Sequence, residues 1–112
     1  MFLKIGHRGA MGYEPENTLR SFKKALDLKV DMIELDVYVC KSDELIVIHD
    51  DKVDRTTNGQ GYVVNKTFEE LRTLDAGKNE KIPTLSEVLN LVNRKAKLNI
   101  ELKGKKNCQT SL

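Results

Sequence analysis

Cysteine is scarce in the 112 residues, and the two present, Cys40 and Cys108, sit far apart with no CxxC or Cys/His spacing. Neither a disulfide framework nor a thiolate metal centre is suggested, so two ordinary reduced thiols are expected. Long apolar runs are missing too. Nothing approaches the ~20 residues of a membrane span, and Met1 to Ile5 is too short for the apolar core of a signal peptide. A cytoplasmic chain without a membrane span is expected. Charge of one sign is equally absent: 19 Lys and Arg intermix with 17 Asp and Glu for a net charge of +2. That balance gives no case for nucleic-acid binding by bulk electrostatics, and the basic cluster Lys103, Lys105 and Lys106 is local. No repeat, low-complexity segment or Pro/Gly-rich linker divides the chain. With 39% hydrophobic and 32% charged residues, it reads as one globular domain.

What is present is an alternation of strands and helices. Leu3 to Ile5 forms a short apolar strand that stops at Gly6, and Pro15 and Asn17 announce a helix. Leu19, Phe22 and Leu26 recur there at helical spacing, to about Leu28. Asp31 to Val39 reads as the second strand and Leu45 to Ile48 as the third. The polar stretch from Asp50 to Asn65, with Thr56-Thr57-Asn58-Gly59 and Gly61, has the turn chemistry of a long functional loop. Thr67 to Leu71 predicts one short helix. Thr84 and Glu87 form a capping box before a helix carrying Leu85, Val88, Leu89 and Val92, and Leu98 to Leu102 is the fourth strand. Such alternation implies parallel strands joined by right-handed crossovers, with the site at the strands' carboxyl ends. The order favours the first half of a barrel. The expected domain is 1–104, truncated there, with a polar tail over 105–112. Open sheet edges would then favour self-association.

Four strings end the apolar runs: His7-Arg8-Gly9, Glu34-Leu35-Asp36, His49-Asp50 and Glu101-Leu102-Lys103. Residues two apart on a strand share a face. Glu34 and Asp36 therefore point one way, as do Glu101 and Lys103. Ile33, Leu35, Val37, Ile100 and Leu102 face the opposite side, where helices can cover them. In a parallel βαβ setting both faces are normally covered, so inward carboxylates need a reason.

These strings, with Gly6-His7-Arg8-Gly9, Pro15-Glu16-Asn17-Thr18 and Arg55-Thr56-Thr57-Asn58-Gly59, occur in the order found in glycerophosphodiester phosphodiesterases. The chain resembles the amino-terminal half of that metal-dependent family over roughly residues 3 to 104. The resemblance implies an α/β fold of the TIM-barrel (β/α)8 type, of which the chain covers roughly the first four βα units. It also implies hydrolysis of glycerophosphodiesters to glycerol 3-phosphate and an alcohol, a small-molecule reaction of lipid and glycerol metabolism. Carried across, it makes His7 and His49 the general acid and base, and Arg8 and Lys103 the phosphate-binding cations. Glu34, Asp36 and Glu101 become ligands of a divalent cation. Hard oxygen donors without Cys suit Mg²⁺ or Ca²⁺ better than zinc. Histidine ordinarily titrates near pH ~6.5, so a pair can supply one base and one acid near neutrality.

Blander readings stand beside these. Glu101 and Lys103 read also as a same-face ion pair at an edge strand. Glu16 either orients His7 or starts the helix, Asp50 either orients His49 or caps the loop, and Arg55 reads as a surface charge. Two other functions remain open. One is an inactive half-barrel serving as a binding or dimerising module; the other is a related phosphatidylinositol-specific phospholipase or sphingomyelinase D type lyase.

Overall fold

The structure is a computed structural model that describes residues 3–103. The expected polar tail and Cys108 lie outside the described residues. The elements in chain order are β1 (Ile5–His7), α1 (Leu19–Asp27), β2 (Met32–Val39) and β3 (Leu45–Val47). A 3₁₀ turn (Val63–Asn65), α2 (Phe68–Leu71), α3 (Leu85–Val92) and β4 (Lys97–Leu102) follow. Three helices begin on threonine caps, as polar side chains relieve the free backbone N–H groups of a first turn. Thr18 accepts from the Ser21 N–H, and Thr67 with Glu70 and Thr84 with Glu87 form reciprocal capping boxes.

Every strand pairs with β2. β4 lies parallel along Met32 to Val37, with Asp36 opposite Glu101. β1 lies parallel against Met32 to Glu34, so that His7 faces Glu34 across the ladder. β3 lies antiparallel against Val37 to Val39. Because Glu34 pairs with both β1 and β4, and Val37 with both β3 and β4, β1 and β3 must share the edge of β2 away from β4.

The antiparallel β3 corrects the all-parallel expectation. Only residues 40–44 link it to β2, where a parallel crossover takes a dozen residues or more. The link is a tight turn closed by Cys40 N–H to the Glu44 carbonyl at 3.0 Å, with Asp43 at φ +73°. Among the described residues three strands, β1, β2 and β4, are therefore parallel, and one, β3, is a hairpin strand.

The parity reading of β2 holds. Ile33, Leu35 and Val37 are fully buried, packed with Phe22 and Ala25 of α1 and Val88 and Val92 of α3. A second core gathers Cys40, Ile46, Ile48, Val53, Val63, Leu71, Ala76 and Ile82. It underlies the stretch expected to be a long loop, which is thus folded around its own apolar centre rather than draped over the surface. Among the described residues no helix is long and apolar enough to cross a membrane. The outer edges of β1 and β4 pair with no strand among the described residues, and a groove of about 450 Å³ lined by Ile5, His7, Met11 and Tyr13 runs beside β1.

Candidate active site

The direction of β3 brings the two histidines together. β1 runs with β2 and β3 runs against it, along the same edge, so their carboxyl ends approach each other. The ladder of β1 ends where the Arg8 N–H donates to the Glu34 carbonyl at 2.8 Å. The next bond on that edge is the Ile48 N–H to the Asp36 carbonyl at 3.0 Å. His7 and His49 therefore leave the sheet two β2 residues apart, next to Glu34 and Asp36.

After His7 the chain must turn at once. Arg8 adopts φ +51° and Gly9 φ +85°, and a Cβ on Gly9 would lie 2.9 Å from the Ser21 carbonyl carbon, so only glycine fits against α1. Ser21 clasps the turn: its hydroxyl accepts from the Ala10 N–H at 2.8 Å and donates to the Arg8 carbonyl at 3.1 Å. The turn aims Arg8 inward while His7 stays about half exposed, its Nδ1 3.0 Å from Glu34 Oε1.

Asp36, only 3% exposed, sits between two cations. Lys103 Nζ is 3.3 Å from its Oδ1 and Arg8 Nε 4.0 Å from its Oδ2. Lys103 Nζ also donates to the His49 carbonyl at 3.5 Å, tying the end of β4 to the end of β3. Asp36 Oδ2 and Arg8 Nε are nonetheless buried without a hydrogen-bond partner. Glu101 stands opposite Asp36 in register and is exposed. The backbone thus sets Glu34, Asp36 and Glu101 on adjacent strands around one face. As the side chains stand, no three His, Cys, Asp or Glu groups among the described residues converge as a metal cage. Their charges are turned elsewhere: Glu34 to His7, and Asp36 to Lys103 and Arg8.

Glu16 and Asp50, for which the sequence left two roles each, have definite partners. Glu16 accepts from Arg8 Nη1 at 3.3 Å and from Arg55 Nη2 at 2.8 Å. Asp50 Oδ1 lies 2.8 Å from His49 Nδ1, so it orients the ring. Arg55 is no idle surface charge. It donates from Nε to Asp50 Oδ2 at 2.8 Å and from Nη2 to Asp50 Oδ1 at 3.0 Å, while also holding Glu16.

The Arg55 hydrogen bonds, aided by the His49 ring, hold the Asp50 carboxyl down at about 2, well under its ordinary 3.8. Burial alone would raise Glu16, but Arg55 and Arg8 outweigh it and leave it lowered. Arg55 itself is pushed further up by the two carboxylates. A lowered acid contributes stability that is complete above its unfolded value and is lost as pH falls through its folded one. Thermal unfolding should therefore show the Asp50 contribution intact at pH 5 and lost progressively from about 4 down to about 2. Arg55→Gln should flatten that fall, and an unchanged slope would refute the assignment.

The profile described as the Glycerophosphoryl diester phosphodiesterase family matches residues 7–110. A glycerophosphodiester phosphodiesterase of Caldanaerobacter subterraneus is 50% identical over 110 residues, which cover 91% of this chain and 45% of that protein. The crystal structure of a glycerophosphodiester phosphodiesterase from Agrobacterium tumefaciens superposes with a TM-score of 0.89 at 40% identity, over 93% of this chain and 48% of that one. An Oleispira antarctica phosphodiesterase, solved with the product sn-glycerol-3-phosphate, superposes with a TM-score of 0.87 at 36% identity, over 92% and 45%. The chain spans a little under half the length of these relatives. Its three parallel strands and their helices are accordingly part of a TIM-type α/β barrel.

Proposed function

Because the chain belongs to the glycerophosphoryl diester phosphodiesterase family, we propose that its site serves the hydrolysis of glycerophosphodiesters to glycerol 3-phosphate and an alcohol. The observation that carries this reading is the end-to-end meeting of β1 and β3, which sets His7 and His49 beside the Glu34–Asp36 face with Arg8 and Lys103 close by.

In the reaction an oxygen nucleophile attacks phosphorus and the bond from phosphorus to the alcohol oxygen breaks. One histidine accepts the proton of the attacking hydroxyl and the other gives one to the departing oxygen. His49 suits either task, since Asp50 holds Nδ1 and leaves Nε2 free to meet substrate. Arg8 and Lys103 are the cations for the phosphate oxygens, charge-assisted donors that gain strength as negative charge develops.

Glu34, Asp36 and Glu101 would hold a divalent cation. The fit rests on the buried, unpartnered Asp36 Oδ2, on Glu101 opposite it in register, and on a donor set made wholly of carboxylate oxygens, the set that suits Mg²⁺ or Ca²⁺. When bound, such an ion neutralises charge on a phosphoryl oxygen. His7 also touches Glu34, so the acid–base pair and the carboxylate set are one construction.

The test is hydrolysis of glycerophosphocholine by the purified chain with Mg²⁺ or Ca²⁺ against EDTA, with mass followed by light scattering. Metal-dependent release of glycerol 3-phosphate and choline is expected. A folded, metal-binding chain that releases neither would leave the binding or dimerising module as the better account. Accumulation of a stable cyclic phosphate would favour the lyase reading.

A further inference from the structure

The mechanism above leaves Arg55 unused, yet it has the densest set of bonds near the site. Its guanidinium is a rigid planar fork of donors, suited to gripping carboxylates two oxygens at a time. One side grips Asp50 through Nε and Nη2 at 2.8 and 3.0 Å, and the other grips Glu16 through Nη1 and Nη2 at 3.1 and 2.8 Å. Asp50 in turn meets His49 Nδ1 at 2.8 Å, and Glu16 meets Arg8 Nη1 at 3.3 and 3.4 Å. A continuous line of charge-assisted bonds thus runs from His49 through Asp50, Arg55 and Glu16 to Arg8.

The base of Arg55 is itself fixed. Val53 is fully buried in the second core, and its carbonyl accepts from the Thr57 N–H at 3.0 Å and the Thr57 hydroxyl at 2.7 Å. The Gly61 N–H bonds to Asp54 Oδ1 at 2.9 Å. The guanidinium is half exposed, but the backbone that presents it is anchored on both sides.

We infer that Arg55 is a positioning residue, a two-ended strap that fixes the ring of His49 through Asp50 and the guanidinium of Arg8 through Glu16. It touches no reacting atom. With both Asp50 oxygens engaged, Oδ1 is held where only an Nδ1–H can meet it, so neutral His49 keeps its proton on Nδ1 and presents the Nε2 lone pair. The catalytic task given to that nitrogen rests on the proposed function. The ring's orientation does not, and the test reads the orientation directly.

The experiment is a long-range ¹H–¹⁵N correlation of the imidazole nitrogens, recorded on the whole chain at a pH where both histidines are neutral. In the native protein the Nδ1–H form of His49 should dominate. In Arg55→Gln the ratio of Nε2–H to Nδ1–H at His49 should rise about threefold or more, the size expected for weakening a charge-assisted hydrogen bond. His7, bonded to Glu34 outside this line, should be unchanged. Arg55→Lys keeps the charge but not the fork, and should fail to restore the native ratio. Should Arg55→Gln not fold, Glu16→Gln removes one end of the strap and should shift His49 in the same direction. A native-like His49 pattern in a folded variant, or restoration by lysine, would overturn the inference. None of these signals depends on turnover, so an inactive chain would sink the proposed function without touching this result.

Discussion

Replacing His49 with alanine should lower kcat/KM for a glycerophosphodiester by about 10²- to 10⁴-fold, the usual worth of a positioned general acid or base. The fold and the affinity for divalent cation should both survive. His49 contributes its ring at the end of β3 and nothing to either core, and its partner Asp50 keeps the Arg55 fork when the ring is gone. His7→Ala should match that loss in rate but differ in a second respect. Nδ1 of His7 lies 3.0 Å from Glu34, so its removal frees a carboxylate proposed to hold the cation. Cation affinity, read by isothermal titration with Mg²⁺ or Ca²⁺, should therefore move with His7→Ala and stay put with His49→Ala. Native turnover in either variant would remove that histidine from the mechanism.

The second large effect should separate two carboxylates that look alike in the sequence. Asp36→Ala should cost on the order of 3 kcal/mol of stability in urea unfolding, as expected when one partner of a buried ion pair is deleted. Asp36 is 3% exposed and is the shared counter-charge of Lys103 and Arg8, both largely covered. Glu34→Gln should leave the unfolding midpoint close to native, because Glu34 is about one-third exposed and its neighbour is a half-exposed histidine. It should instead weaken cation binding and turnover together. Equal stability losses in the two variants would show that Asp36 is not the anchor of the cations around it.

Much of this was legible beforehand because it is local. The Thr84–Glu87 capping box, the helical spacing of Phe22 and its neighbours, and the two-residue alternation of β2 all act within a few residues, and each appears where the pattern puts it. The direction of β3 was also present in principle, since residues 40–44 are too few for a crossover. An apolar run such as Leu45 to Ile48, however, reads the same whether its neighbour is parallel or antiparallel. Ala25, fully buried in α1, gives no signal in the sequence, because an alanine adds little to a hydrophobic stripe.

The network around Arg55 was legible in neither way. Glu16 and Arg55 are 39 positions apart, and they meet in a loop that folds over the second core, in which Val53 and Val63 are buried. Charge patterns along a sequence report partners on one element, not partners delivered by a folded loop. The sequence offers His7 as a partner for Glu16, but the Glu16 oxygens belong to Arg8 and Arg55.

The shared edge of β2 also limits which length changes the protein tolerates. β1 and β3 occupy that edge from opposite ends, and their final ladder bonds fall on Glu34 and Asp36 with one residue between. One residue inserted into either strand has nowhere to go along the edge and would turn its terminal histidine to the opposite face. The loop around Asn58 to Gln60 is tied down as well: the Asn58 N–H donates to the Asp75 carbonyl at 3.2 Å, Asn58 Oδ1 accepts from the Asp75 N–H at 3.0 Å, and a Cβ on Gly59 would lie 2.7 Å from Leu74. Insertions should thus be ruinous in the two shortest strands, whose register against β2 decides the face to which each histidine turns.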